Sequence, residues 1–352
     1  MQQDAVPFPL PISNHLPKIG WYGLGAMGSF MARNIATSKR LHLDSPILVY
    51  NRTVEKAEKL VNELGTNSAA VASSATQLVT ECNVIFTNLA NDAVVQGVYD
   101  DFAKTMTILG LYQQTPPTQP KIFVDTSTIY PSIAAQIDKL LGNFPHCHFV
   151  TSPVFGPPAA ADAGSLVIAM SGDYRSKQQV AHLLVPGVGR KVIDLGGNVE
   201  KAPTLKLIGN GMIMGANELL AETLTLGEKS GIGAHTVNSL VKEIMPAPGL
   251  IAYGDKMVDD RFDGSVGFSI DLGIKDSLHI RRLAAELNCP MPTVDIAHQR
   301  LITTRSIHER QRSSGSQKWD ILDWSASIAG SRVAAGLEPF DCNAHHVIPD
   351  ND

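Results

Sequence analysis

Short runs of β-branched and aromatic residues recur through the first part of the chain, at Ile19–Tyr22, Ile47–Tyr50, Ala69–Ala72, Val84–Leu89, Ile122–Asp125, Phe149–Val154, Leu166–Ser171 and Val192–Leu195. The stretches between them carry helical spacing, and this alternation predicts βαβ units: an α/β fold with a doubly wound parallel sheet covered on both faces. After Gly196-Gly197 the strand signals stop. A segment from Ala202 to Ser230 places Leu205, Ile208, Met212, Ala216 and Leu219 on one stripe, the spacing of a long helix. Further helical patterns over Ser239–Met257, Ile270–Leu287, Thr293–Ile307 and Trp319–Ala335 predict an all-α second domain. The expected divisions are an N-terminal extension over 1–17, a sheet domain over 18–196, a helical domain over 197–338 and a tail over 339–352. The Pro- and Gln-rich stretch Tyr112–Pro120 is expected to be a loop without chemistry.

Composition narrows the class. Of 352 residues, 44% are hydrophobic and 18% charged, the balance of a globular protein. A formal net charge of -5 provides no broad cationic surface for nucleic acid or an anionic membrane, so neither is expected as a partner. The first 18 residues are Pro-rich, include an Asp and lack Arg, which fits neither a secretory nor an Arg-rich transit segment, and cytoplasmic residence is the expectation. Cys82, Cys147, Cys289 and Cys342 lack CxxC spacing, so neither a disulfide framework nor a zinc site is expected. Cys342 with His345 and His346 is the one arrangement that could hold a metal, and its polar terminal setting argues against it.

Gly23-Leu24-Gly25-Ala26-Met27-Gly28 is a GxGxxG motif that follows the first strand and opens a helix over Met27–Ala36. The first glycine permits a tight turn, the second lets backbone approach a pyrophosphate closely, and the third lets helix pack closely on strand. The helix N-terminus favours the negative charge. The sheet is therefore expected to be Rossmann-type. At the end of the second strand an NAD enzyme would place a carboxylate on the ribose, but Asn51-Arg52-Thr53 stands there. Arg52 can pair with a 2′-phosphate while Asn51 and Thr53 add neutral hydrogen bonds, so NADP(H) is the expected cofactor. Leu89, at the end of the fourth strand, is expected to line the crevice where such sheets bind ligands.

On the long helix Lys206, Asn210 and Asn217 share one face, opposite much of the apolar stripe. A lysine beside a cofactor can exchange a proton with a substrate oxygen during hydride transfer, although such a pair on a helix is often only solvated surface.

Taken in order, these motifs resemble the β-hydroxyacid dehydrogenase family, which includes 3-hydroxyisobutyrate dehydrogenase, tartronate semialdehyde reductase and, more distantly, 6-phosphogluconate dehydrogenase. The resemblance covers about residues 18 to 335. It rests on the glycine motif with Met31-Ala32 and Asn34, on Asn51-Arg52-Thr53 as in the NADP-using branch, and on Val124-Asp125-Thr126-Ser127-Thr128-Ile129. Lys206 with Asn210, Phe268 with Lys275-Asp276, and Gly315 through Asp320 complete it. It implies Lys206 as catalytic acid and base, Asn210 as carboxylate-orienting amide, and Thr128 and Lys275 beside the cofactor. Ser127, Val154, Phe155 and Gly156 fall in the substrate segment. A small-molecule substrate, a β-hydroxy acid or its semialdehyde, and a homodimer or larger homo-oligomer are further implications.

One segment departs from the family pattern. In Ser152-Pro153-Val154-Phe155-Gly156-Pro157-Pro158, Phe155 replaces a serine and Pro157 a glycine. If Phe155 lines the pocket, the site is less polar and favours a bulkier substrate; if it turns into the core, the other amides still hold a carboxylate. Imine reduction on the same scaffold is an alternative that Lys206 opposes, as is NADPH binding without turnover.

Overall fold

The computed structural model describes residues 17–41, 43–110 and 120–342. The chain forms two compact units, one up to Lys206 and one from Leu207 onward.

In the first unit, β1 (Ile19–Tyr22), β2 (Ile47–Tyr50), β3 (Ala69–Val71), β4 (Val84–Thr87), β5 (Lys121–Asp125) and β6 (Cys147–Thr151) are parallel, in the order β3-β2-β1-β4-β5-β6. Beyond β6, β8 (Leu166–Gly172) runs antiparallel to β6 and to β7 (Val154–Phe155) and parallel to β9 (Gly189–Asp194). Helices α1 (Gly28–Ala36), α2 (Val54–Leu64), α3 (Ala75–Glu81), α4 (Asp92–Ile108), α5 (Pro131–Leu141), α6 (Pro158–Asp162) and α7 (Tyr174–Leu184) connect the strands. Strand residues alternate between two cores: Val84 and Phe86 pack in one cluster with Trp21, Met31 and Val124, whereas Ile85 packs in the other with Tyr99, Phe102 and Phe123. The reversal of strand order beside β1 and β4 creates the crevice at their carboxyl ends.

The expected single strand Phe149–Val154 is two strands. Pro153 has no N–H for a ladder and separates β6 from β7, while Ser152 N bonds Asp125 O at 2.7 Å.

The second unit is helical, with α8 (Lys201–Lys229) entering it, then α9 (Ala234–Ile244), α10 (Pro248–Val258), α11 (Ile270–Glu286), α12 (Pro292–Ser313) and α13 (Ile328–Ala334). The expected helix Ser239–Met257 is broken in two near Pro246 and Pro248, because proline cannot donate to the preceding turn. Within Trp319–Ala335 only a 3-10 turn over Trp324–Ser327 and α13 are helical. The stretch before them is held by isolated bridges, Asp263 to Leu322 and Ser269 to Asp323.

The compact units divide inside α8, beyond the Gly196-Gly197 punctuation. The first turn of this helix is tied to the sheet: Thr151 Oγ1 and Ser171 Oγ donate to Val199 O at 2.7 and 3.2 Å, and Ala202 N donates to Ser171 Oγ at 3.1 Å. Further along, the burial of α8 inverts the sequence expectation. Ile208, Met212 and Leu219 of the apolar stripe are exposed, Met212 at 72%, while Asn210, Asn217, Glu218 and Glu228 are buried. These polar residues share the buried side with Leu207, Met214, Leu220 and Leu224, and the buried charges Glu218 and Glu228 have partners in Arg300 and Arg332. Burial pushes the Glu218 carboxyl above its usual range, with Arg300 opposing. His345 and His346, most of Tyr112–Pro120, and all but the last residue of the N-terminal extension lie outside the described residues.

Candidate active site

The glycine loop leaves β1 with Gly23 at φ 105, a backbone conformation that excludes most side chains. A Cβ at Gly23 would lie 2.2 Å from Asn88 O, and one at Gly28 would lie 2.1 Å from Gly23 O, so both glycines are fixed by packing. At Gly25 a Cβ would meet nothing within 4 Å. Gly25 and Ala26 are exposed, Leu24 is buried in the core, and half-buried Met27 caps α1 without a side-chain acceptor. The result is an open backbone face at a helix N-terminus, which fits a dinucleotide pyrophosphate.

Asn51 binds this loop to the next one: its Oδ1 accepts from Leu24 N and its Nδ2 donates to Thr53 O, both at 2.9 Å. These two bonds engage one hydrogen of Nδ2 and one lone pair of Oδ1. Arg52 is exposed, and no acidic side chain pairs with it among the described residues. Thr53 begins α2 with its hydroxyl making no capping bond.

At the ends of β4 and β5 a buried network sets the crevice wall. Asp125 Oδ1 accepts from Thr87 Oγ1 at 2.8 Å and from Ser127 Oγ at 2.7 Å, and Leu89 N donates to Ser127 Oγ at 2.8 Å. Tyr99 joins through Thr87 at 3.0 Å, and burial pushes its phenol well above the usual value. Ser127 is therefore inward and buried, and what it positions directly is Leu89, whose side chain lies beside Gly23. Thr128 is half-buried at the start of the following loop.

In the substrate segment Val154 and Phe155 pair with Ile168 and Val167, and alternation along the strand separates them. Val154 is buried in the sheet core. Phe155 is half-exposed, and its ring centroid lies 4.6 Å from Lys206 Nζ. The ring is outside the core and over the candidate catalytic amine. Gly156 is exposed at φ 139.

The second unit carries its own constellation. Asn210 Nδ2 donates to Asp276 Oδ2 at 2.7 Å, and Lys275 Nζ lies 3.1 Å from Asp276 Oδ1. Asp276 is fully buried and joins Asn210 to Lys275. Asn217 is buried without a hydrogen bond from its amide among the described residues. Fully buried Asp323 accepts from Lys256 Nζ and Phe268 N, both at 2.9 Å, and from Ser325 N at 3.0 Å. This carboxylate holds the Phe268 loop in place; the late acidic residue expected from the sequence, Asp320, is exposed.

Residues 18–196, the glycine loop and crevice included, match the NAD binding domain of 6-phosphogluconate dehydrogenase. The chain belongs to the β-hydroxyacid dehydrogenase family. This β-hydroxyacid dehydrogenase homologue is an oxidoreductase of the NAD(P)-binding type. Among its relatives, the NADH-dependent oxidoreductase ucdB of Aspergillus ustus is 28% identical over 276 residues, 78% of this chain and 88% of that protein. A probable 3-hydroxyisobutyrate dehydrogenase-like protein of Arabidopsis thaliana is 27% identical over 296 residues, 82% of this chain and 80% of that one. The fold is shared with Mycobacterium tuberculosis 3-hydroxyisobutyrate dehydrogenase, at TM-score 0.70 and 22% identity over 90% of this chain and 99% of that one. Among the described residues of this family member, no helix is long and apolar enough to cross a membrane.

Proposed function

We propose that the protein transfers hydride reversibly between NADP(H) and a β-hydroxy acid or its semialdehyde, with Lys206 exchanging the proton on the substrate oxygen. The observation that carries this reading is Lys206 itself, set on a helix whose first turn is bonded to the sheet by Ser171 and Thr151. Bound cofactor supplies the hydride donor or acceptor at its nicotinamide. The loop Gly23–Gly28 holds the pyrophosphate, Leu89 lines the crevice and Asn210 orients the substrate carboxylate from a position fixed by Asp276.

What supports NADP over NAD is Arg52, a cation with no acidic partner among the described residues, where an NAD enzyme would carry a carboxylate. The relative described as NADH-dependent makes a direct comparison of both cofactors the necessary control. A homodimer or larger assembly is part of the same proposal, supported by the exposed row Ile208, Met212, Leu219 and Leu226 along α8.

The test is Lys206→Met, assayed by NADPH absorbance with short semialdehydes and hydroxy acids and by fluorescence titration of NADPH. Turnover is expected to fall by about 10²–10⁴-fold, the contribution of a general acid or base, with cofactor affinity retained. A near-normal rate would move proton transfer to another group.

A further inference from the structure

Phe155 and Lys206 meet although 51 positions separate them, and neither is free to drift. The ring centroid is 4.6 Å from Nζ, within the range where the electron-rich face of an aromatic ring attracts a cation. On one side, the backbone of Phe155 is fixed by pairing with Val167 on β8. Gly156 follows at φ 139 with its α-carbon so close to Leu166 and Ala160 that a Cβ would lie 2.7 and 2.9 Å from their side chains. On the other side, the helix bearing Lys206 starts from bonds to Ser171 and Thr151. Two rigid supports bring the two backbone positions together, so the ring is within reach of the amine inside the first unit.

We infer that Phe155 is a positioning residue for Lys206: its ring holds the ammonium on one line of approach and gives the substrate an apolar wall beside the reacting oxygen. The inference rests on Lys206 being the proton-transfer group. A lysine amine rides on a flexible four-carbon stem and samples many positions unless something holds it. Proton transfer requires the heavy atoms to approach within about 2.6–3.2 Å, so restricting the stem beforehand removes an entropic obstacle from the chemical step. The benefit falls on kcat, because a ring against the amine changes what the amine can reach more than what the pocket can bind. A wall of this kind also favours a substrate bearing an alkyl or aryl group next to the reacting carbon, since burying apolar surface against it is favourable.

The experiment compares wild type, Phe155→Leu, Phe155→Tyr and Lys206→Met, using NADP with 3-hydroxyisobutyrate and with its phenyl-bearing counterpart tropate. Phe155→Leu is expected to lower kcat by about 5–30-fold with KM changed less than about twofold, the factor such a contact supports. Phe155→Tyr, which keeps the ring face, is expected to restore most of it, and tropate is expected to be the better substrate of wild type. NADPH titration reports folding of each variant. Urea unfolding of the Phe155→Leu and Lys206→Met pair, singly and together, reads the contact without any turnover, and non-additive midpoints are expected. Additive midpoints, or an unchanged kcat in Phe155→Leu while Lys206→Met is inactive, overturn the inference and leave the lysine's role standing. A Lys206→Met enzyme of normal rate, or a wild type inert toward both compounds, overturns the proposed reaction and the positioning role with it.

Discussion

The two units carry their candidate residues differently. In the sheet unit the Asp125 network is buried, but Gly25, Ala26, Arg52 and Thr53, proposed to meet the cofactor, sit exposed on turns. In the helical unit Asn210, Asp276 and Asp323 are interior, and the apolar row of α8 faces outward. Chemistry carried on turns can be altered with little cost to the fold, whereas chemistry carried inside a helical bundle is also what holds that bundle.

The contrast can be tested by one change on each side. Asp276→Ala strips Asn210 and Lys275 of their shared partner. It is expected to lower the stability of the helical unit by about 3 kcal/mol in urea unfolding, the low end for breaking a buried ion pair because Lys275 keeps some access to water. A shift below half of that would mean that the interior carboxylate is not structural, and the contrast would fail. Arg52→Asp should leave the unfolding midpoint where it was while weakening NADPH by about 1.5–3 kcal/mol, the range for charge-assisted bonds. Equal wild-type affinity for NADH and NADPH, measured by the same titration, would remove the argument from Arg52. The smallest energetic effect is expected at the outward row: Met212→Glu should leave monomer folding within about 0.5 kcal/mol, as for an ordinary surface change. Light scattering at micromolar concentration should then show the assembly shifted toward the monomer, and a wild type already monomeric would leave the exposed row without that explanation.

These differences also explain what the sequence could and could not disclose. The glycine motif was legible because its parts are contiguous and each glycine answers a local demand: Gly23 and Gly28 are hemmed in and Gly25 is open. The strand runs were legible because the alternation of Val84, Ile85 and Phe86 between two cores leaves every one of them apolar. The α8 face was read the wrong way round, since amphipathic reasoning assumes that an apolar stripe is covered by the same chain. Asp323 was missed because its partners Lys256, Phe268 and Ser325 come from separate segments, and nothing in local spacing singles it out from Asp320. The direction of Phe155 depended on the break at Pro153 and the pairing of β7 with β8, a register no single run reveals.

The two neighbours Phe155 and Gly156 would respond very differently to engineering. At 155 the side chain projects from the strand on the side away from the core, so most members of a saturation library there would still fold. At 156 the positive φ and the pressure of Leu166 and Ala160 reject nearly every replacement, so a library at that codon would return glycine. The segment therefore pairs a position that tolerates replacement in folding with one that does not.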